Sequence, residues 1–201
     1  MARPMKKATA TPTQVSRKSK PAGSVDALAL LKADHAAVKA LFTQYKKLCK
    51  NGADGDEKEN LAAQICVQLT IHSQVEEEIF YPALRAALVD DAILNEADVE
   101  HASARDLISQ IESGRPEDKH YDAKVEVLGE YIDHHVEEEE GQLFKQARNG
   151  DVNLQDLGRQ MADRKDQLKR GMEQDDDENR SPSARPGVGR GNGRDHARPR
   201  T

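Results

Sequence analysis

The sequence predicts an all-α protein, an up-and-down antiparallel four-helix bundle with an additional short C-terminal helix and disordered tails. Three observations carry this reading. The 201-residue chain has only seven aromatics and no Trp, and its interior is rich in Ala, Leu, Glu, Lys and Gln, a composition that favours helices. Six of its eight prolines crowd the two ends, leaving only Pro82 and Pro116 between residues 22 and 181. Between the ends, apolar residues recur in alternating steps of three and four, the period that stacks side chains on one helix face.

Taken in order, residues 1–23 read as a disordered basic tail, with no apolar stretch of the signal-peptide kind after the basic start. The bundle is expected over 24–150. Its first helix starts from Ser24 as N-cap, carries Leu28, Leu31, His35, Val38, Phe42, Tyr45 and Cys49 on one face, and runs to about Lys50. The segment NGADGDEKEN is expected to be a turn. A second stripe follows with Leu61, Ile65, Leu69, His72, Glu76 and Ile79, and Pro82 is expected to end or kink it. The third, Leu94, Ala97, His101, Ala104, Ile108 and Ile111, stops at Gly114, a good C-terminal cap. The fourth runs from about Glu117 through Val125, Leu128, Ile132, His135, Glu139 and Leu143 to Asn149-Gly150. Leu154, Leu157, Met161, Leu168 and Met172 give a shorter accessory helix within 151–173, packed outside. Residues 174–201 read as a disordered tail, acidic and then Arg/Gly-rich, with too little to bury to offset the entropy of ordering.

Charge and composition narrow the function. The net charge of −6 conceals termini that together carry +11, which leaves −17 on residues 21 to 179. A body so acidic suits cations and not DNA. No specific nucleic-acid partner is expected, only weak polyanion contact by the Arg-rich tail. No apolar run approaches the roughly 18 residues a bilayer needs, and Cys49 and Cys66 are too few for a disulfide scaffold. These features predict a cytoplasmic protein without a membrane partner.

The stripes contain residues that do not belong in an apolar core. Each holds one histidine: His35, His72, His101 and His135. Two also hold a glutamate four residues on, Glu76 and Glu139, which a helix places within about 40° of the histidine, one turn away. An unpartnered buried carboxylate costs several kcal/mol, so each demands a cation, an ion pair or a proton. A metal meets that demand for all of them together. Helix four has adjacent histidines. From His135, steps back of seven and three reach Leu128 and Ile132, and Glu139 steps forward to Leu143. His135 and Glu139 are therefore taken as the inward pair, and Glu77, Glu78, Glu137 and Glu140 as a solvated rim. Imidazoles and carboxylates without thiolate favour iron or manganese over structural zinc. Six donors suit two ions bridged by the two carboxylates, with open positions for O2, NO or peroxide.

The strings H-S-Q-V-E-E-E-I-F-Y-P (72–82) and H-H-V-E-E-E-E-G-Q-L-F (134–144), with D-H near 35 and E-H near 101, resemble the hemerythrin-like, or HHE cation-binding, family over about residues 25–150. Bacterial members add a terminal helix of the kind expected at 154–172. The resemblance implies two non-haem iron ions, an oxo-bridged di-iron pair with manganese as the alternative, held by His35, His72, Glu76, His101, His135 and Glu139. Ferritin-like bundles need two Glu-x-x-His motifs, and only Glu117 to His120 is present. Oxygen carriers of the family have a second histidine four residues after that of helix three, where this chain has Arg105. They also have an Asp five after the last His, where this chain offers Glu139 at four. Tyr131, one turn before His135, is a candidate to approach the opened position. The reading is a di-iron protein that binds or senses O2, NO or peroxide. The alternatives are a weak peroxide-decomposing or NO-reducing enzyme and an iron buffer or sensor.

Overall fold

The structure is a computed structural model that describes residues 26–87 and 92–180, with side chains as far as residue 174. The N-terminal tail, Ser24, the Arg-rich end from residue 181 and His196 lie outside the described residues. Every regular element within them is helical: α1 (Ala27–Asn51), α2 (Gly55–Val75), α3 (Tyr81–Ala87), α4 (Ala92–Glu112), α5 (Tyr121–Glu138), α6 (Phe144–Asn149) and α7 (Leu154–Arg180). Two single π-helical turns, Glu76–Phe80 and Glu139–Leu143, join α2 to α3 and α5 to α6. No helix among them is long and apolar enough to cross a membrane.

Helix ends follow local chemistry. Asp26, not Ser24, caps α1, its carboxylate accepting from the Ala29 N–H at 2.9 Å. Gly52 closes that helix at φ 67°, the left-handed conformation glycine adopts without penalty. Asp54 caps α2 through the Glu57 N–H, so the expected ten-residue turn shrinks to 52–54 and its second half is helix. Helix α5 begins at Tyr121, later than expected, because Arg115 to His120 form turns in which Asp118 accepts from the Arg115 N–H. Gly114 follows α4 without a positive φ.

Two apolar clusters fill the interior. One contains Leu28, Leu31, Val75, Phe80, Leu94 and Leu143; the other contains Val38, Ile65, Leu69, Ala104, Ile108 and Leu128. Each histidine falls between them along its own helix. Helices α1 and α4 run from the first cluster to the second, through His35 and His101. Helices α2 and α5 run back, through His72 and His135. This alternation of direction puts all four histidines in one layer. The helices touch in the ring α1, α2, α4, α5, and α1 approaches α5 closely enough that a Cβ on Gly129 would lie 3.1 Å from the Phe42 ring.

Helix α7 is longer than the 151–173 expected, running to Arg180. It packs on α1, α2 and the first π turn, burying Leu157 and Met161. Arg164 holds Glu78 through two hydrogen bonds of 2.6 and 2.9 Å, and Lys165 pairs with Asp34.

Pro82 neither ends the helix nor stops it from reaching Ala87. Lacking an N–H, it leaves the usual i−4 acceptor, the Glu78 carbonyl, without that donor, and the chain widens into a π turn in which the Tyr81 N–H donates to Glu76 O, five residues back. The extra residue advances the inward face by one position. Phe80 and Tyr81 are buried, whereas Ile79, expected in the stripe, is only half-buried. The second π turn repeats this without a proline, Phe144 N–H donating to Glu139 O.

Candidate metal centre

All six predicted residues are buried: His35, His72, Glu76, His101, His135 and Glu139. The register on α5 is as read, since His134 is 62% exposed at its side chain and His135 only 4%. The donors form two groups, His35 with His72, Glu76 and Glu139, and His101 with His135 and Glu76. Glu76 is common to both: its Oε2 lies 3.3 Å from His72 Nε2 and 3.4 Å from His101 Nε2. Glu139 Oε2 lies 3.2 Å from His35 Nε2. Both carboxylates were expected to be shared; Glu76 belongs to both groups, and Glu139 to the one with His35, His72 and Glu76.

The outer nitrogens show which way the imidazoles are turned. Nδ1 of His35 donates to Glu140 at 2.9 Å, that of His101 to Glu77 at 2.9 Å, and that of His135 to Glu100 at 2.8 Å. His72 Nδ1 faces Asp34 at 3.7 Å. A carboxylate can only accept, so each bonded Nδ1 carries the proton and the Nε2 of the neutral ring presents a lone pair inward. Carboxylates behind ligating histidines fix ring orientation in this way.

The arrangement repeats across the bundle. The acid before a histidine serves the next helix's ring: Asp34 faces His72, and Glu100 holds His135. The acid after each inward glutamate serves the other pair: Glu77 holds His101, and Glu140 holds His35. The first residue after each π turn then covers an imidazole, Tyr81 over His101 with centroids 5.6 Å apart and Phe144 over His35 at 6.0 Å. Sequence reasoning assigned Glu77 and Glu140 to a solvated rim. They are half-buried and bonded to histidines, while Glu137 is exposed. The signal was available as an acid beside each inward residue, but which ring it reaches depends on helix packing.

Electrostatically the side chains of the layer do not satisfy one another. His35 Nε2, His72 Nδ1, both oxygens of Glu76 and of Glu139, and the Tyr81 hydroxyl are buried without a hydrogen-bond partner. His101 Nε2 and His135 Nε2 face each other at 3.4 Å, and with both outer nitrogens protonated these are two opposed lone pairs. Protonation does not relieve them readily, because burial and the neighbouring His135 push the His101 pKa down to about 4. Burial also lowers that of His72. Burial, with Glu139 adjacent, holds Glu76 well above the usual carboxylate range. At His35, burial opposes protonation, but Glu139 and Glu140 outweigh it and raise the pKa. Inward lone pairs, orphaned carboxylate oxygens and orienting acids fit divalent cations.

Arg105, four residues after His101, does not reach into the layer as a donor. It pairs with Glu77 and so clamps the carboxylate that orients His101. Tyr131 does not take the opened position either: it is 49% exposed. His120 is exposed at the start of α5. A cavity of about 20 Å³, lined by the four histidines and by Leu69 and Ile108 among others, abuts the layer. That is room for one water-sized molecule.

Comparison with known proteins shows the family. The family model for the hemerythrin HHE cation binding domain matches residues 26–147. A crystal structure of a hemerythrin HHE cation binding domain-containing protein from Mycobacterium kansasii superposes with a TM-score of 0.61 at 25% identity, covering 73% of this chain and 89% of that one. A protein of Nostoc sp. named DNA nickase is 28% identical over 120 residues, 60% of this chain; the match spans only 33% of that relative. The chain belongs to the hemerythrin HHE cation-binding domain family.

Proposed function

We propose that this protein is a cytoplasmic non-haem di-iron protein that binds or senses O2, NO or peroxide. His35, His72, Glu76 and Glu139 would hold one ion, and His101 and His135, with Glu76 common to both groups, the other. The observation that carries the reading is the pair of facing Nε2 lone pairs of His101 and His135, an arrangement that a cation makes favourable. Manganese is the alternative that the same donors accept.

Iron in such a pair supplies redox-active Lewis-acid positions where a small ligand attaches. The protein contributes the rest. Glu77, Glu100 and Glu140 hold the outer imidazole protons, keeping each Nε2 directed inward. Tyr81, Phe144, Leu69 and Ile108 limit water near the layer, and the small cavity beside the histidines leaves space only for a ligand of a few atoms at most.

Iron analysis and spectroscopy of protein purified from iron-supplemented culture test this. About two irons per chain, with near-ultraviolet charge-transfer bands that change on adding NO, O2 or peroxide, support it. Metal-free, colourless protein that takes up no iron refutes it. Catalytic O2 release from added peroxide favours the enzyme reading, whereas uptake without any spectral response to ligands favours the iron buffer.

A further inference from the structure

Outside the buried layer, Glu100 of α4 and His134 and Glu138 of α5 offer ligand atoms that all lie within 4.8 Å of one another. His134 Nε2 is 3.7 Å from Glu100 Oε1 and 3.6 Å from Glu138 Oε1. These separations are too long for hydrogen bonds. They are close to the roughly 3.4 Å between two donors each about 2.1 Å from one ion at a tetrahedral angle. His134 and Glu138 stand at i and i+4, so one helix presents them as a chelating pair, one position before the inward pair His135 and Glu139.

Glu100 divides its oxygens between two histidines. Oε2 accepts from His135 Nδ1 at 2.8 Å, and Oε1 is turned toward His134. Glu100 and His134 line a cavity of about 220 Å³ between α4 and α5 whose wall also includes the buried His101 and His135. Solvent access therefore exists on one side, where water can complete a coordination sphere.

We propose that Glu100, His134 and Glu138 form a third, solvent-facing divalent-cation site, separate from the buried layer, that takes a borderline ion such as Zn2+ or Mn2+. One imidazole and two carboxylates are a donor set both ions accept, and the strongly acidic body draws cations to this face. Glu100 touches both sites, through Oε2 to His135 and Oε1 to His134, but the outer donors His134 and Glu138 belong to this site alone.

The test uses full-length protein loaded with iron and then titrated calorimetrically with Zn2+. One further ion per chain is expected. His134→Ala and Glu138→Gln should each weaken it at least tenfold while iron content and thermal midpoint stay at wild-type values. Glu137→Gln, an exposed neighbour outside the cluster, should leave it intact. The proposal is overturned if wild type takes no further Zn2+, or if His134→Ala binds it as wild type does. The iron content of the same samples reports separately on the buried centre.

Discussion

Asp34 lies 3.7 Å from His72 Nδ1 while its carboxylate is paired with Lys165 of α7. The other three orienting carboxylates approach their histidines to 2.8–2.9 Å. Glu140 and Glu77 also pair with cations, Lys32 and Arg105, yet stay within hydrogen-bond reach of their imidazoles, so the repeat that relates the two halves of the bundle is broken only where Asp34 meets α7.

Lys165→Met should release Asp34 to accept from His72 Nδ1. An orienting carboxylate is worth about 10–100-fold in metal affinity. A gain of up to about tenfold is expected, measured by competition with a chelator, and Asp34→Asn should not show it. Weaker metal binding in Lys165→Met would mean that α7 supports the site chiefly by docking.

His72→Ala or His135→Ala should remove at least one metal per chain and lower the thermal midpoint of the loaded protein. A ligand at a thousandfold its Kd stabilises a fold by about 4 kcal/mol, so the loss should be several degrees. His134→Ala should keep the full iron content. Equal iron loss from His134→Ala would reverse the assignment of the inward histidine on α5.

Removing an orienting acid should act on metal and not on fold. Glu77→Gln and Glu140→Gln are expected to weaken metal affinity about 10–100-fold with little change in the metal-free melting curve. Glu77→Gln releases Arg105 and Glu140→Gln releases Lys32, and because the first acts on His101 and the second on His35 the two variants should differ in their visible spectra.

The π turns can be tested by packing. Phe80→Ala removes a wholly buried ring and should cost about 3–5 kcal/mol, read from urea unfolding of metal-free protein. Ile79→Ala should cost clearly less. The reverse order would place the inward face where an uninterrupted α-helix puts it.

Metal-free protein should lose stability in acid through His101. Its folded pKa of about 4 lies below the ordinary imidazole value of 6.5, so the unfolded chain binds the proton first. The stabilisation is fully present above about pH 6.5 and is lost as pH falls toward 4. The raised pKa of Glu76 acts oppositely: its contribution is present at low pH and fades as pH rises through the folded value. Loaded protein should resist down to the pH at which protons displace the metal. Urea midpoints measured every half unit of pH on both forms check this.

The helical period, the two His-x-x-x-Glu pairs and the choice of His135 over His134 were readable from the chain, because each follows from side chains on a single helix and from the cost of burying a charge. The two halves of the carboxylate shell were not. Whether Glu77 reaches His101, or Glu100 His135, is settled by which helices lie side by side, a relation between residues 24 and 35 positions apart in sequence. Ile79 and Phe80 exchanged places for a related reason. A π turn costs helix geometry, and its compensation, aromatic rings laid over His101 and His35, exists only once neighbouring helices have brought those imidazoles within reach. Arg105 likewise showed only that a histidine was missing. Its role as a clamp on Glu77 depends on how the first π turn lies against α4.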